Sequence, residues 1–243
     1  MQTAIENKKR VSGRSGSICT KGEKAMFALI PGCLIFAGLF IYLQRRNYGV
    51  PALLLKGLAS LCFAALGILC NAGAESGKPI VLGLILGCVA DVLLGLRSVF
   101  VRQKKVFFLV GGLVFLCGHF AYLASAWPRV ENKVLCGLAS VLLAALLLVW
   151  LYGKITADRG LRAFGVVYFG VFTLLCCAAV SNDLTAHSAF TRLFASGILL
   201  FLCSDLILNL HSFGPLKDFR FRVLYSGLYY IGQLTIAVSL LFL

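Results

Sequence analysis

The sequence predicts an all-α polytopic membrane protein with eight transmembrane helices arranged as two parallel four-helix repeats. Three observations carry this. Of 243 residues, 60% are hydrophobic and 13% charged, with a mean hydropathy of +0.94, whereas a soluble domain is about half apolar and a quarter charged. The apolar residues fall into eight runs of the length needed to cross a bilayer, about 20 residues each. A stretch of the third run recurs in the seventh. Soluble enzymes, secreted modules and DNA-binding domains are excluded by the first of these.

Taken in order, residues 1–24 are polar, basic and rich in Ser and Gly, a composition that cannot bury enough surface to fold alone. They read as a flexible arm in front of a retained first helix, with 25–243 as the membrane domain. The arm is too long and polar for the start of a signal peptide, and no small-residue cleavage site follows the first apolar run. The runs lie near 25–43, 51–71, 79–96, 106–127, 134–152, 162–180, 189–210 and 222–243. Breakers and charges separate them: Arg45-Arg46-Asn47, Gly77-Lys78-Pro79, Arg97 to Lys105, Pro128-Arg129, Asp158-Arg159-Gly160, Ser181-Asn182-Asp183 and Gly214-Pro215. Backbone groups in lipid must be satisfied within their own segment, so runs this long are helices rather than strands.

Lys and Arg number 23 against 9 Asp and Glu. The excess sits in short loops, where it sets topology and meets anionic headgroups, and no aromatic-interleaved basic patch points to nucleic acid. Loops after the first, third, fifth and seventh runs hold twelve Lys and Arg, and loops on the other side hold four. The positive-inside rule makes the first set cytoplasmic. The six basic residues of the arm pull the other way. Cys33, Cys62, Cys70, Cys88, Cys117, Cys176, Cys177 and Cys203 lie inside apolar runs and behave as small hydrophobes. No CxxC or paired Cys/His spacing, HExxH, GxSxG elbow or phosphate-binding glycine loop occurs, so neither a metal nor a cofactor is expected.

The repeat has an offset of 114. It aligns Ala90-Asp91-Val92-Leu93-Leu94 with Ser204-Asp205-Leu206-Ile207-Leu208, Gly83 with Gly197, Gly118-His119 with Gly232-Gln233, and Ser125 with Ser239. Leu-rich helices match easily by chance, but an Asp, two Gly and an amide for an imidazole at one gapless offset do not. Four crossings per half bring both halves in from the same side, as parallel repeats about an axis along the membrane normal.

Asp91 and Asp205 are the only carboxylates deep inside apolar runs, and Lys56 is the only basic residue comparably placed. Each costs about 2.5–3.5 kcal/mol on insertion scales. Each Asp stands about five residues, or 7–8 Å, before the end of its run, and Lys56 enters from the same side. Three costly charges at one level predict a shared polar cavity opening toward the more basic face. The competing readings are an ion pair that merely holds the bundle together, and a Lys56 that snorkels to the interface. Gly83, Gly87 and Asp91 form one stripe, and Gly197, Phe201, Asp205 and Asn209 another, with small residues permitting close helix approach. His119, Tyr122, Tyr229, Tyr230 and Gln233 make a second polar tier nearer mid-bilayer. His119 can shuttle protons or hydrogen-bond across helices. Ser204, adjacent to Asp205, points about 100° away and is a poor nucleophile.

Together with the Gly118-His119-Phe120-Ala121-Tyr122 and Tyr229-Tyr230-Ile231-Gly232-Gln233-Leu234 segments, these motifs resemble the YhhN family, whose animal members are lysoplasmalogenase-like transmembrane proteins. The resemblance covers residues 25–243. One departure is Ala90, where members often carry Gly before the first Asp. The resemblance implies hydrolysis of the vinyl-ether bond of lysoplasmalogens to a fatty aldehyde and glycerophosphocholine or glycerophosphoethanolamine. It also implies a critical role for both aspartates and residence in the endoplasmic reticulum. The chemistry suits the residues: an enol ether is protonated at carbon, and water captures the resulting oxocarbenium ion. One of Asp91 and Asp205 would be the general acid, while the other stays ionised and activates water. Lys56 would keep one carboxylate charged or receive the substrate phosphate. The substrate is then a lysophospholipid within the bilayer. The rivals are a proton-coupled transporter of a small or lipid-like substrate, which also places carboxylates at repeat interfaces, and a catalytically silent lipid-binding bundle. Broken helices would favour transport, but Pro31 and Pro51 both lie near helix starts.

Overall fold

The computed structural model describes Met26 and residues 28–243. The basic arm lies outside them. Among the described residues, eight helices are long and apolar enough to span a membrane: α1 (Ala28–Arg45), α2 (Gly49–Asn71), α3 (Lys78–Leu96), α4 (Lys104–Ala126), α5 (Lys133–Tyr152), α6 (Arg159–Ala186), α7 (Ala189–Phe213) and α8 (Phe219–Ser239). Short 3-10 turns extend three of the junctions, and a fourth follows α8 at Leu240–Phe242.

Helix ends fall within about four residues of the sequence expectation, except the end of α6, which runs six residues past it. The polar Ser181-Asn182-Asp183 segment reads as a loop but continues α6 to Ala186. Its side chains find partners on neighbouring helices: Asn182 Nδ2 donates to the Ala126 carbonyl of α4, while its Oδ1 stays unpartnered among the described residues, and Asp183 accepts from Thr191 of α7. The reversal falls instead on His187, at φ 47°, and on Ser188. Ser188 accepts from the Thr191 N–H while its own N–H donates to the Thr191 hydroxyl, a reciprocal cap that starts α7. At the other end α7 runs to Phe213, past 210.

The packing repeats as the offset of 114 predicts. Helix α3 packs chiefly on α4 and α7 on α8, while α2 lies against α3 and α6 against α7. The halves meet through α2 on α8 and α4 on α6. Exchanging the halves maps this set of contacts onto itself. The first helix of each half is peripheral: only 17% of α1 and of α5 is buried, against 39–56% for the other six. A line of α5 residues that includes Leu138, Val141, Leu142 and Val149 faces outward, an apolar surface suited to lipid. Helix α1 docks on α2 through Cys33, whose thiol donates to the Ala59 carbonyl.

Each half is held by one close crossing made possible by paired glycines. A Cβ on Gly118 would lie 3.4 Å from the Gly83 carbonyl oxygen, and one on Gly232 2.9 Å from that of Gly197. Beside them, a Cβ on Gly83 would strike the Tyr122 ring, and one on Gly197 the Ile236 side chain. Tyr122 and Ile236 are themselves 114 apart. Backbones that approach this closely align their partners tightly, which fixes where Asp91 and Asp205, two turns further along α3 and α7, must point.

Candidate functional site

Asp91 and Asp205 are both buried, and both line one cavity of about 60 Å³ enclosed by α1, α2, α3, α4, α7 and α8. Each draws its polar partner from the helix before it. On α2, Lys56 Nζ stands 2.9 Å from Asp91 Oδ1, and the Ser60 hydroxyl donates to Asp91 Oδ2 at 2.6 Å. One turn apart, Lys56 and Ser60 share a helix face. Gly95 of α3 leaves room for Leu53, whose Cδ1 a Cβ there would meet at 2.5 Å, and Phe40 of α1 covers the Lys56 ammonium, its ring centroid 6.0 Å away. On α6, Tyr168 donates its hydroxyl to Asp205 Oδ2 at 2.5 Å. No Lys, Arg or His among the described residues comes within 4 Å of Asp205. The two carboxylates therefore differ: one is paired with a cation and the other only with a phenol.

Tyr229 and Tyr230 of α8 join the same cavity, and their hydroxyls are buried without a hydrogen-bond partner among the described residues. The rest of the second tier does not reach it. Tyr122 donates to Gln233 Oε1 at 2.9 Å, a bond between the two halves one turn or more beyond the cavity wall. Asn209 lies next to Asp205 but turns its amide back to the Asp205 carbonyl. For His119 the cross-helix hydrogen bond is not made. Its Nδ1 contacts the Phe115 carbonyl of its own helix at 2.6 Å, so Nδ1 carries the proton and Nε2 is left without a partner. The ring is boxed by Tyr168, Phe172 and Phe201, with centroids 4.0–5.2 Å away. Aromatic packing thus outweighs the interhelical bond. Ser204 donates to the Tyr225 carbonyl and does not address Asp205. Lys56 neither snorkels nor stays free for a phosphate, because Asp91 holds it.

Two further spaces adjoin the cavity. An apolar slot of about 50 Å³ runs between α4, α5, α6 and α7 and shares Leu94, Phe115, Asp205 and Leu208 with it. A vestibule of about 760 Å³ lies among the loops after α1, α3, α5 and α7, the basic face, and shares Gln44, Arg97, Ser98 and Tyr225 with the cavity. The slot meets the vestibule as well, at Phe108, Ala157, Leu161 and Phe213. The predicted cavity thus exists at the predicted level, adjoining the predicted side. At its rim Lys105 pairs with Asp158, which also caps α6 by accepting from the Leu161 N–H. That ammonium holds the Asp158 carboxyl below its ordinary value. Among the described residues no three His, Cys, Asp or Glu side chains converge.

Sequence reading missed Ser60, Tyr168 and Arg97 as site residues. Ser60 stands one turn from Lys56, a usable signal. Tyr168 gives none, since a tyrosine in an apolar run reads equally well as core, and Arg97 reads as one more loop charge.

Comparison with known proteins gives one match. The model of the YhhN family matches residues 52–240, which takes in both aspartates, Lys56 and all three spaces except the α1 residues and the loop at their rim. No curated protein and no solved structure matches the chain.

Proposed function

The chain belongs to the YhhN family, the family of lysoplasmalogenases, and from that membership we propose that it is a membrane-embedded hydrolase of the lysoplasmalogen vinyl ether. The observation that carries the reading is the pair of unequal aspartates, one from each half of the bundle, on one cavity.

The inequality divides the roles. Asp91, against the Lys56 ammonium, is the carboxylate best held as an anion, so the acid role falls to Asp205. Asp205 transfers its proton to the vinyl carbon β to the ether oxygen, the one that carries the hydrocarbon chain; the C=C electron pair forms the new C–H bond, and positive charge develops on the adjacent oxygen-bearing carbon. The Asp91 carboxylate stabilises that oxocarbenium ion, as the second carboxylate does in glycoside hydrolysis. Water adds to the cationic carbon and its spare proton returns to the carboxylate pair. The hemiacetal then collapses: its hydroxyl proton passes to the ether oxygen, the C–O bond breaks, and a fatty aldehyde and the glycerophospho-alcohol leave. The unpartnered hydroxyls of Tyr229 and Tyr230 suit the task of holding the attacking water. Asp205 also stands on the wall of the apolar slot, which suits a proton donor that must meet the first carbons of a hydrocarbon chain. Localisation in the endoplasmic reticulum membrane rests on the resemblance to animal members alone.

A transporter would use similar carboxylates, but none of the eight spans is interrupted among the described residues, and discontinuous helices are the usual way such sites are built. The test is aldehyde release from lysoplasmalogen by the purified protein in detergent. Asp91→Asn and Asp205→Asn are each expected to lower it by about 100-fold or more without loss of monodisperse protein. Wild-type rates in both variants would overturn the reading, and substrate flux in liposomes without aldehyde would replace it with transport.

A further inference from the structure

The vestibule holds more positive charge than its own residues neutralise. Arg97, Lys104, Lys105 and Arg222 line it, against one carboxylate, Asp158, already bound to Lys105. Arg97 at the end of α3 and Arg222 in the first turns of α8 have no carboxylate partner among the described residues. The Arg222 Nε is buried with no hydrogen-bond acceptor. Burial chiefly holds Arg97 below its ordinary value, with Tyr225 acting against it and the nearby Arg222 guanidinium in the same direction. Arg97 also sits over the Phe108 ring, 5.8 Å from its centroid, which fixes one face of the guanidinium and leaves its edge for a ligand.

Spacing relates this pair to the aspartates. Arg97, the residue after α3, stands six residues beyond Asp91, an axial rise of about 9 Å. On α8, Arg222, Tyr225, Ser226 and Tyr229 share one face and lead from the vestibule to the cavity over about 10 Å. In a lysoplasmalogen the phosphorus and the vinyl carbon to be protonated are about seven bonds apart, roughly 9 Å when extended at bond lengths near 1.5 Å.

We propose that Arg97 and Arg222 form a phosphate-binding site in the vestibule, which holds the phosphodiester of a single-chain lipid while its ether bond reaches Asp91 and Asp205. The site rests on the hydrolase reading above and adds to it the residues that recognise the headgroup. Guanidinium edges match phosphate oxygens two at a time, a role for which Lys56, committed to Asp91, is not free.

The test is binding rather than turnover. The full-length protein in non-ionic detergent is titrated with an uncleavable 1-O-alkyl lysophosphocholine, with the matching 1-O-alkylglycerol lacking phosphate, and with inorganic phosphate as competitor. Arg97→Gln and Arg222→Gln are each expected to weaken the phosphate-bearing lipid by about tenfold or more, as loss of a forked charge-assisted contact should, and to leave the alkylglycerol within about twofold. Arg222→Lys, which keeps the charge and loses the fork, falls between, and the exposed Arg220→Gln binds as wild type. Displacement of the lipid by millimolar phosphate would identify free phosphate as the ligand of the site, and no displacement the lipid headgroup. Both Gln variants binding the phosphate-bearing lipid as wild type would overturn the proposal. If those variants do not fold, added salt must weaken wild-type binding of the phosphate-bearing lipid and not of the alkylglycerol, and equal salt dependence would overturn it. Because neither lipid is cleaved, failure of the hydrolase reading leaves this measurement intact, and the two failures are distinguishable.

Discussion

A lysine ammonium 2.9 Å from one buried carboxylate, and none beside the other, makes two chemically identical side chains unequal. The Lys56 and Asp91 side chains are only 14% and 3% exposed, so removing either leaves the other charge without its partner in a low-dielectric site. In soluble proteins such a loss costs about 3–5 kcal/mol, whereas replacing both partners is often neutral. Lys56→Met and Asp91→Asn are therefore each expected to lower the melting temperature in detergent, and the double variant to regain much of that loss. All three should be inactive. Strictly additive destabilisation, read from thermal melts of the four proteins, would show that the pair is not coupled. At this scale the sequence showed the charges and not their partners. Asp91, Asp205 and Lys56 stand out because each is costly in an apolar run. Ser60 is signalled only by its place one turn from Lys56, and Tyr168 is an ordinary residue whose importance comes from the helix face opposite it, which no periodicity within its own helix reveals.

At the scale of the element, the two glycine crossings set the register of α3 on α4 and of α7 on α8. A Cβ on Gly197 would lie 2.6 Å from Ile236 Cγ1 and 2.8 Å from the Gly232 carbonyl oxygen. The second of these is backbone and cannot rotate away. Gly197→Ala is expected to destabilise by about 1–3 kcal/mol or more, the usual range for overpacking, and to lower activity because Asp205 rides on the same helix. Gly227, on α8, has nothing within 4 Å of its Cβ position. Gly227→Ala should be neutral, or stabilising by up to about 1 kcal/mol from helix propensity. Thermal melts of the two variants side by side check this, and an equal effect would remove the crossing from the account. Helix number, order and most boundaries were legible because length and hydropathy alone determine spans. The end of α6 was not, because Asn182 and Asp183 look like loop residues until α4 and α7 supply their partners. The repeat was legible because the Gly and Asp positions it aligns are the ones that tertiary packing constrains most.

At the scale of the whole molecule, three adjoining spaces differ in chemistry: a basic vestibule, a two-aspartate cavity and an apolar slot. Pseudo-symmetry does not demand this. Asp91 and Asp205 are related by the repeat, yet the slot touches only Asp205 and the ammonium only Asp91, so the two halves have taken different tasks on a common frame. On the proposed reading, the asymmetry would give a lipid one direction of binding, phosphate toward the basic face and hydrocarbon into the slot, with the bond to be cleaved between the carboxylates. The slot is open where glycines stand on its wall. A Cβ on Gly112 would approach the Phe164 ring at 2.9 Å, and one on Gly165 the Tyr152 hydroxyl at 2.7 Å. Gly112→Leu pushes a side chain into that space or drives the Phe164 ring across it. Since each buried methylene contributes about 0.8 kcal/mol, a slot shortened by three or four methylenes should lower kcat/KM for long alkenyl chains by about 50-fold or more, while short-chain substrates change little. Aldehyde release measured across a chain-length series, wild type against variant, reads this directly. A uniform loss across all chain lengths would mean that the hydrocarbon lies elsewhere, against the lipid-facing surface of the bundle, and that the slot only accommodates motion of Tyr168 and Phe164.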